Sequence, residues 1–253
     1  MPSFPFIESR RNPKFKTWVN YAEHPEEPGC PWLPVEGWKN LSDLGQKIEL
    51  LLFADPSDTR LPSLLPRVRQ AVQLTPQLLK AVSQMTSPQS ALGFVKKPHW
   101  DWDSIKPWVF YLDCIQDPGN LGTLLRTAGA TGIFSIVTSA GSVSCFNTKV
   151  VRASAATLYS VPFLQGVGVD ELRQRGYTIW AAVPSGGTPL YNARFEPPCA
   201  VIVGNEGRGV NPAILADGDS RLTIPMCTEA ESLNAGVAGS IIMYEVLRQR
   251  VLS

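Results

Sequence analysis

Residues Trp108 to Arg126 read WVFYLDCIQDPGNLGTLLR. The first eight, through Ile115, are almost wholly apolar and rich in aromatic and β-branched side chains, the pattern of a strand buried on both faces. The turn Asp117, Pro118, Gly119, Asn120 then ends the strand, and apolar residues recur at helical spacing to about Ala130. A buried strand that passes directly into a helix is the repeating unit of a parallel sheet.

The same alternation continues toward the C-terminus. Ile133–Thr138 (IFSIVT), Tyr177–Val183, Ala200–Val203 and Arg221–Pro225 are predicted strands, and Lys149–Tyr159, Asp170–Arg175 and Ala235–Arg250 predicted helices. The prediction is therefore an α/β fold with a parallel sheet covered on both faces, whose ligands sit beyond the carboxyl ends of the strands. Toward the N-terminus, Ile48–Ala54 (IELLLFA) and Ala91–Val95 read as strands, Leu64–Gln70 as a short helical pattern, and Pro76–Gln84 as a helix with proline in its first turn. Lys96–Pro107 (KKPHWDWDSIKP) has prolines near both ends and no periodicity, which makes it the candidate linker. The expected organisation is a small α/β domain over 1–95, a linker over 96–107 and a larger domain over 108–253.

Composition limits the function classes. The chain has 253 residues, 44% hydrophobic and 18% charged, with Lys+Arg 23 against Asp+Glu 22. A net charge of +1 excludes a polybasic factor that holds nucleic acid by bulk charge, although not a local basic patch. Five widely spaced cysteines without a C-x-x-C pair, and only two histidines, give no disulfide framework and no metal site. The longest uncharged run, Thr127 to Thr148, is long enough to span a bilayer but is rich in Ser, Thr and Gly, so no membrane segment is expected. The start has no apolar leader, and a cytoplasmic protein is expected, with an organellar precursor trimmed before this start left open.

Three loops hold the candidate chemistry. In Asp117–Arg126 the glycines allow close approach of a partner, and Asn120 and Arg126 are the candidate polar residues; taken by itself, this loop reads more simply as an Asn cap followed by an exposed helical Arg. Gly204–Gly209 (GNEGRG) follows the buried strand AVIV and is either a tight turn with a solvated Glu206 or a main-chain ligand loop; it matches neither the dinucleotide fingerprint nor the P-loop. Leu222–Asn234 (LTIPMCTEAESLN) leads into a helix whose first turns carry small residues, which read as a close-packed helix start capped by Ser232 or as a ligand-contacting turn.

Taken together and in this order, N-x-G-x-x-x-R, G-N-E-G-x-G, and I-P-M followed by S-L-N resemble the three signature motifs of the SpoU/TrmH family of RNA ribose 2′-O-methyltransferases, within the SPOUT superfamily. Upstream, Ser9–Lys16 (SRRNPKFK), Val35–Gly37 (VEG) and Leu74–Pro98 resemble the L30e-like RNA-binding domain that precedes the catalytic domain in many members. The resemblance covers nearly the whole chain and is strongest over 108–253.

The resemblance implies a C-terminal domain folded through a trefoil knot that binds S-adenosylmethionine, and a homodimer whose interface lies beside it. It assigns cofactor contacts to Gly204, Glu206, Gly209, Ile224, Met226, Ser232, Leu233 and Asn234, and catalytic roles to Asn120, Arg126, Ser232 and Asn234. Since an arginine side chain stays protonated, Arg126 is expected to clamp phosphate and stabilise the forming alkoxide rather than accept a proton. Structured RNA, ribosomal rather than transfer RNA, is the implied partner, with Arg10, Arg11, Lys14 and Lys16 as RNA contacts. No metal or membrane is implied. Thr228 and Gly236 replace the Gly and the second Ser usual in the third motif, and Glu23–Trp32 (EHPEEPGCPW) is acidic where relatives carry basic residues. The rival reading, a catalytically silent RNA-binding or ribosome-assembly protein, predicts loss of Asn120, Arg126 or Asn234, and all three are present.

Overall fold

A computed structural model describes residues 4–85, 89–154, 156–216, 218–227 and 232–251. The chain divides into two compact units, one running through Pro98 together with Phe146–Thr148, the other from His99 onward.

The first unit is built from β1 (Phe6–Ile7), α1 (Pro13–Glu23), β2 (Trp32–Glu36), α2 (Trp38–Asp43), β3 (Ile48–Phe53), α3 (Leu61–Leu64), β4 (Ala71–Leu74), α4 (Pro76–Val82) and β5 (Ala91–Lys96). Its five strands run in the order β1-β4-β3-β5-β2, with β5 antiparallel to both neighbours and the remaining pairs parallel. All six residues of β3 are buried, the five apolar ones as a strand covered on both faces requires and Glu49 by pairing with Arg69 and Lys96. Leu50 and Leu52 pack with Phe15 and Trp18 of α1 and Leu78, Leu79 and Val82 of α4. Each such side chain removed from water contributes roughly 1.5–3 kcal/mol before conformational entropy is charged against it. Asn12 caps α1, its Oδ1 accepting from Lys14 N at 2.9 Å, and Pro13 occupies the first helical position. The predicted helix over Leu64–Gln70 is shorter than expected: α3 passes into a 3-10 turn that stops at Arg67, because Val68 turns extended toward β4.

The second unit contains β6 (Trp108–Leu112), α5 (Pro118–Thr131), β7 (Phe134–Thr138), α6 (Thr148–Ala153), β8 (Phe163–Gln165), α7 (Val169–Gln174), β9 (Thr178–Ala182), β10 (Thr188–Pro189), β11 (Cys199–Val203), β12 (Ser220–Thr223) and α8 (Ala235–Val251). The sheet order is β10-β12-β9-β11-β6-β7-β8, and every pairing is parallel. Chain order reverses about β6, which makes the carboxyl edge of β6, β11 and β9 the crevice where a ligand is expected. One face packs Val109, Tyr111, Ile202 and Ala200 against Val169 and Leu172 of α7, with Trp102 and Ile105 alongside. On the other face a Cβ at Gly239 of α8 would sit 2.3 Å from Leu124 Cδ2 and 3.1 Å from Phe110 Cε1, so α5 and α8 lie close together over β6. The single helix predicted over Lys149–Tyr159 is two pieces, α6 and a 3-10 turn at Thr157–Tyr159, separated where Ala156 takes φ +69. No helix among the described residues is long and apolar enough to cross a membrane.

Candidate active site

The start of α5 decides how the first loop is used. Asp117, not Asn120, caps the helix: its Oδ1 accepts from the main-chain nitrogens of Gly119 and Asn120, and Pro118 holds the first helical position. Asn120 is thereby released from capping and buried in the first turn, where its Nδ2 donates to Glu206 Oε1 at 2.9 Å. Glu206 Oε1 also accepts from Asp117 N at 3.1 Å, and Oε2 from Gln116 N at 3.3 Å. A carboxylate at a helix amino end is favoured by both the free N–H groups and the dipole. Partial burial alone would raise the Glu206 pKa, but the bonds from Asn120 and from the main chain outweigh it and hold the group below the usual glutamate value. The Glu206 carboxylate therefore fastens the second loop to the first, and a ligand would meet residue 206 mainly through its main chain.

The second loop is shaped by Asn205, a residue the sequence reading passed over. Its Oδ1 accepts from Gly207 N at 3.0 Å and Arg208 N at 3.2 Å, its carbonyl accepts from Gly209 N at 2.8 Å, and its Nδ2 donates to Cys114 O at 2.8 Å. An Asn whose side chain closes a turn two residues on is a recognisable local signal, and it stood in plain view in G-N-E-G. The loop closes so tightly that a Cβ at Gly204 would lie 2.0 Å from Gly209 C and Val210 N, and Gly209 itself has φ +70.

In the third loop the helix cap is Asn234 rather than Ser232: Asn234 Oδ1 accepts from Gly236 N at 2.9 Å and Val237 N at 3.2 Å, while Ser232 and Leu233 are exposed. Thr228 lies outside the described residues. At Gly236 the first and third loops touch, for a Cβ there would lie 3.2 Å from both Asn120 Oδ1 and Asn234 Oδ1. A hydroxyl relay supports this corner, with Ser240 Oγ donating to Gly236 O at 2.7 Å and lying 2.9 Å from Thr127 Oγ1 of α5.

A cleft of about 420 Å³ opens at the carboxyl ends of β9, β11 and β12, within the range of small-molecule sites. Gly204, Glu206, Gly209, Ile224, Met226, Ser232 and Leu233 all line it, with Ala235 and Ala238 as the floor near α8. Asn234 does not line it; its side chain is engaged by the helix start. Arg126 lies about 9 Å further along α5 than Asn120 and on a different flank. It is exposed and makes no hydrogen bond or ion pair among the described residues, so its charge is free for a partner. Arg10, Arg11, Lys14 and Lys16 are exposed at the amino end of α1 in the first unit, whose other side buries Phe15 and Trp18. Among the described residues there is no cluster of metal-ligating side chains, and the five cysteines are free.

AviRb from Streptomyces viridochromogenes, a SpoU methyltransferase solved in complex with AdoMet, superposes with a TM-score of 0.83 at 25% identity over 95% of this chain and 99% of its own. The chain belongs to the SpoU rRNA Methylase family, whose pattern matches residues 107–244. The 23S rRNA (guanosine(2553)-2′-O)-methyltransferase RlmP of Bacillus subtilis is 32% identical over 247 residues, covering 95% of this chain and 98% of the relative. A TrmH-family protein from Porphyromonas gingivalis matches at TM-score 0.80 and 29% identity over 95% of this chain and 99% of its own.

Proposed function

We propose that the protein transfers a methyl group from S-adenosylmethionine to a ribose 2′-hydroxyl in structured ribosomal RNA. The observation that carries this reading is the junction of the three loops, where Asn120 is held between Gly236 and Glu206, and Glu206 in turn lines the cleft. The cleft fits the donor: its volume suits a nucleoside with a short tail, Ile224, Met226 and Leu233 supply apolar walls, and the preformed ring at Gly204–Gly209 presents main chain to a base edge. When bound, the donor supplies an activated methyl on a positively charged sulfur, so the chain needs only to align the acceptor and stabilise the charge that develops on it.

Asn120, fixed through its Nδ2, keeps its carbonyl oxygen toward Gly236 and orients the acceptor ribose beside the donor. Arg126 grips the adjoining phosphate and lowers the energy of the forming alkoxide; it is a clamp, not a proton acceptor. Ser232 meets the donor or the hydroxyl from the opposite wall. Asn234 acts indirectly, by setting the first turn of α8. The first unit, L30e-like in sequence, holds RNA through Arg10, Arg11, Lys14 and Lys16.

The active form is a homodimer. Val237, Tyr244 and Val251 are exposed apolar side chains spaced seven apart along α8, a stripe that a second copy of this chain covers beside the cleft. Sedimentation of the protein at dilute concentration reads the expected mass of two chains.

The activity is tested by incubating ribosomal RNA with methyl-labelled S-adenosylmethionine and hydrolysing the product in alkali. A 2′-O-methyl group protects its own linkage, so the label is expected in a resistant dinucleotide. Label recovered in ordinary mononucleotides means base methylation and overturns the assignment.

A further inference from the structure

At the end of the second unit opposite the cleft, the sheet opens onto a larger groove, and we propose that it binds a stretch of the substrate RNA away from the methylated nucleotide, holding phosphates on arginines and one base on Tyr191. This rests on the reading of the chain as an RNA methyltransferase. The groove, of about 1020 Å³, lies at the amino ends of β6 and β11 and beside the carboxyl ends of α5 and α8. Its wall is built rather than incidental. The Gln249 side chain donates to Ala193 O at 2.9 Å and accepts from Phe195 N at 3.3 Å, fastening the segment before β11 to the last turn of α8.

Charge in the groove favours an anion. Lys106 Nζ donates to Gly132 O at 2.8 Å and so offsets the negative carboxyl end of α5. Arg194 and Arg250 are exposed and have no partner among the described residues. Arg248 uses Nε and Nη2 on Glu245, which leaves Nη1 uncommitted. Glu196 is the one carboxylate among the described lining residues. Tyr191 stands 60% exposed at the rim, an aromatic face that no neighbouring ring covers among the described residues. Guanidinium groups beside an open aromatic ring are the equipment for single-stranded nucleic acid, where phosphates pair with the cations and a base stacks on the ring. An acidic protein surface would engage the cations but has no use for the ring. Strand β6 spans about 16 Å from one edge to the other, so an RNA strand at the cleft reaches this groove along one flank of the sheet.

The test uses the full-length protein, a fluorescein-labelled oligouridylate as binding probe and ribosomal RNA as methyl acceptor. The double variant Arg194→Glu, Arg250→Glu is expected to bind the probe at least tenfold more weakly, with the slope of log affinity against log salt reduced by about 1.4. S-adenosylmethionine affinity and sedimentation mass are expected to stay as in the parent. Tyr191→Ala is expected to weaken probe binding several-fold, with Tyr191→Phe restoring it. Probe affinity within twofold of the parent in both the double variant and Tyr191→Ala overturns the proposal, as does a loss that tracks a change in mass, which assigns the groove to contact between copies. If the double variant fails to fold, the Tyr191 pair decides. A parent protein that binds the probe but methylates no ribosomal RNA refutes the functional reading and leaves the groove standing.

Discussion

Asn120 and Glu206 stand 86 positions apart in the chain and are joined by one hydrogen bond of 2.9 Å from the Asn120 amide to Glu206 Oε1. Through it the loop after β11 is tied to the first turn of α5, so two motifs act as one rigid corner. The bond also fixes which end of the Asn120 amide faces Glu206, because an ionised carboxylate can only accept.

This tie has a pH signature. The folded pKa of Glu206 lies below its ordinary value near 4.5, so its contribution to stability is complete above that value and disappears as pH falls through the folded one. Glu206→Gln is expected to melt a few degrees below the parent at neutral pH, corresponding to about 1 kcal/mol or less because the side chain is exposed and screened. Thermal melts from pH 7 downward should show the gap constant at first and closing as pH falls below the ordinary glutamate value of 4.5. A gap that is constant across that range contradicts the assignment.

Gly236 separates the two asparagine side chains. A methyl group there, 3.2 Å from each Oδ1, forces both amides to shift by a few tenths of an ångström. Gly236→Ala is therefore expected to fold and to bind the donor, yet to lose about tenfold in turnover, about 1.4 kcal/mol of barrier. Single-turnover kinetics alongside donor calorimetry separates these effects, and a donor affinity that falls as far as the rate argues against alignment as the cause.

Arg126 makes no hydrogen bond or ion pair among the described residues and lies on the exposed flank of α5. Arg126→Ala is expected to abolish methyl transfer while leaving S-adenosylmethionine affinity within a few-fold. Calorimetry that finds no donor binding in this variant removes the clamp role.

The cations at the amino end of α1 are expected to act on affinity alone. Replacing Arg10, Arg11, Lys14 and Lys16 together by Ala should weaken RNA binding and lower the salt slope by about three to four, with kcat nearly unchanged at saturating RNA. An unchanged slope places the main phosphate contacts elsewhere.

What the sequence shows and what it hides follow from how local each signal is. IELLLFA and WVFYLDCI are legible as strands because burial on both faces leaves no polar alternation to confuse the period. The final helix is legible from its length and small first turns. Strand β4, four residues of alternating burial, is too short to register, and β2 is masked by Pro34, which sits on an edge strand where a missing donor costs little. Helix α1 had an Asn-Pro start signal that the basic residues around it obscured. The cap of α5 was misplaced by three residues because Asp117 and Asn120 are both good caps, and only the fold shows which one faces outward. The pairing of Asn120 with Glu206 carries no local signature, since neither residue signals that two loops 86 positions apart will meet.

The ring formed by Gly204 through Gly209 divides its three glycines unequally. At Gly204 a side chain would run into backbone atoms that cannot step aside, and Gly209 holds a left-handed φ, whereas a Cβ at Gly207 would meet only Asn205 Oδ1 at 3.7 Å. Evolutionary drift is thus barred at two corners of the ring and open at the third. Gly207 and its neighbour Arg208, both lining the cleft, form the editable part of an otherwise frozen frame, where a lineage could add side chains without disturbing the closure of the ring.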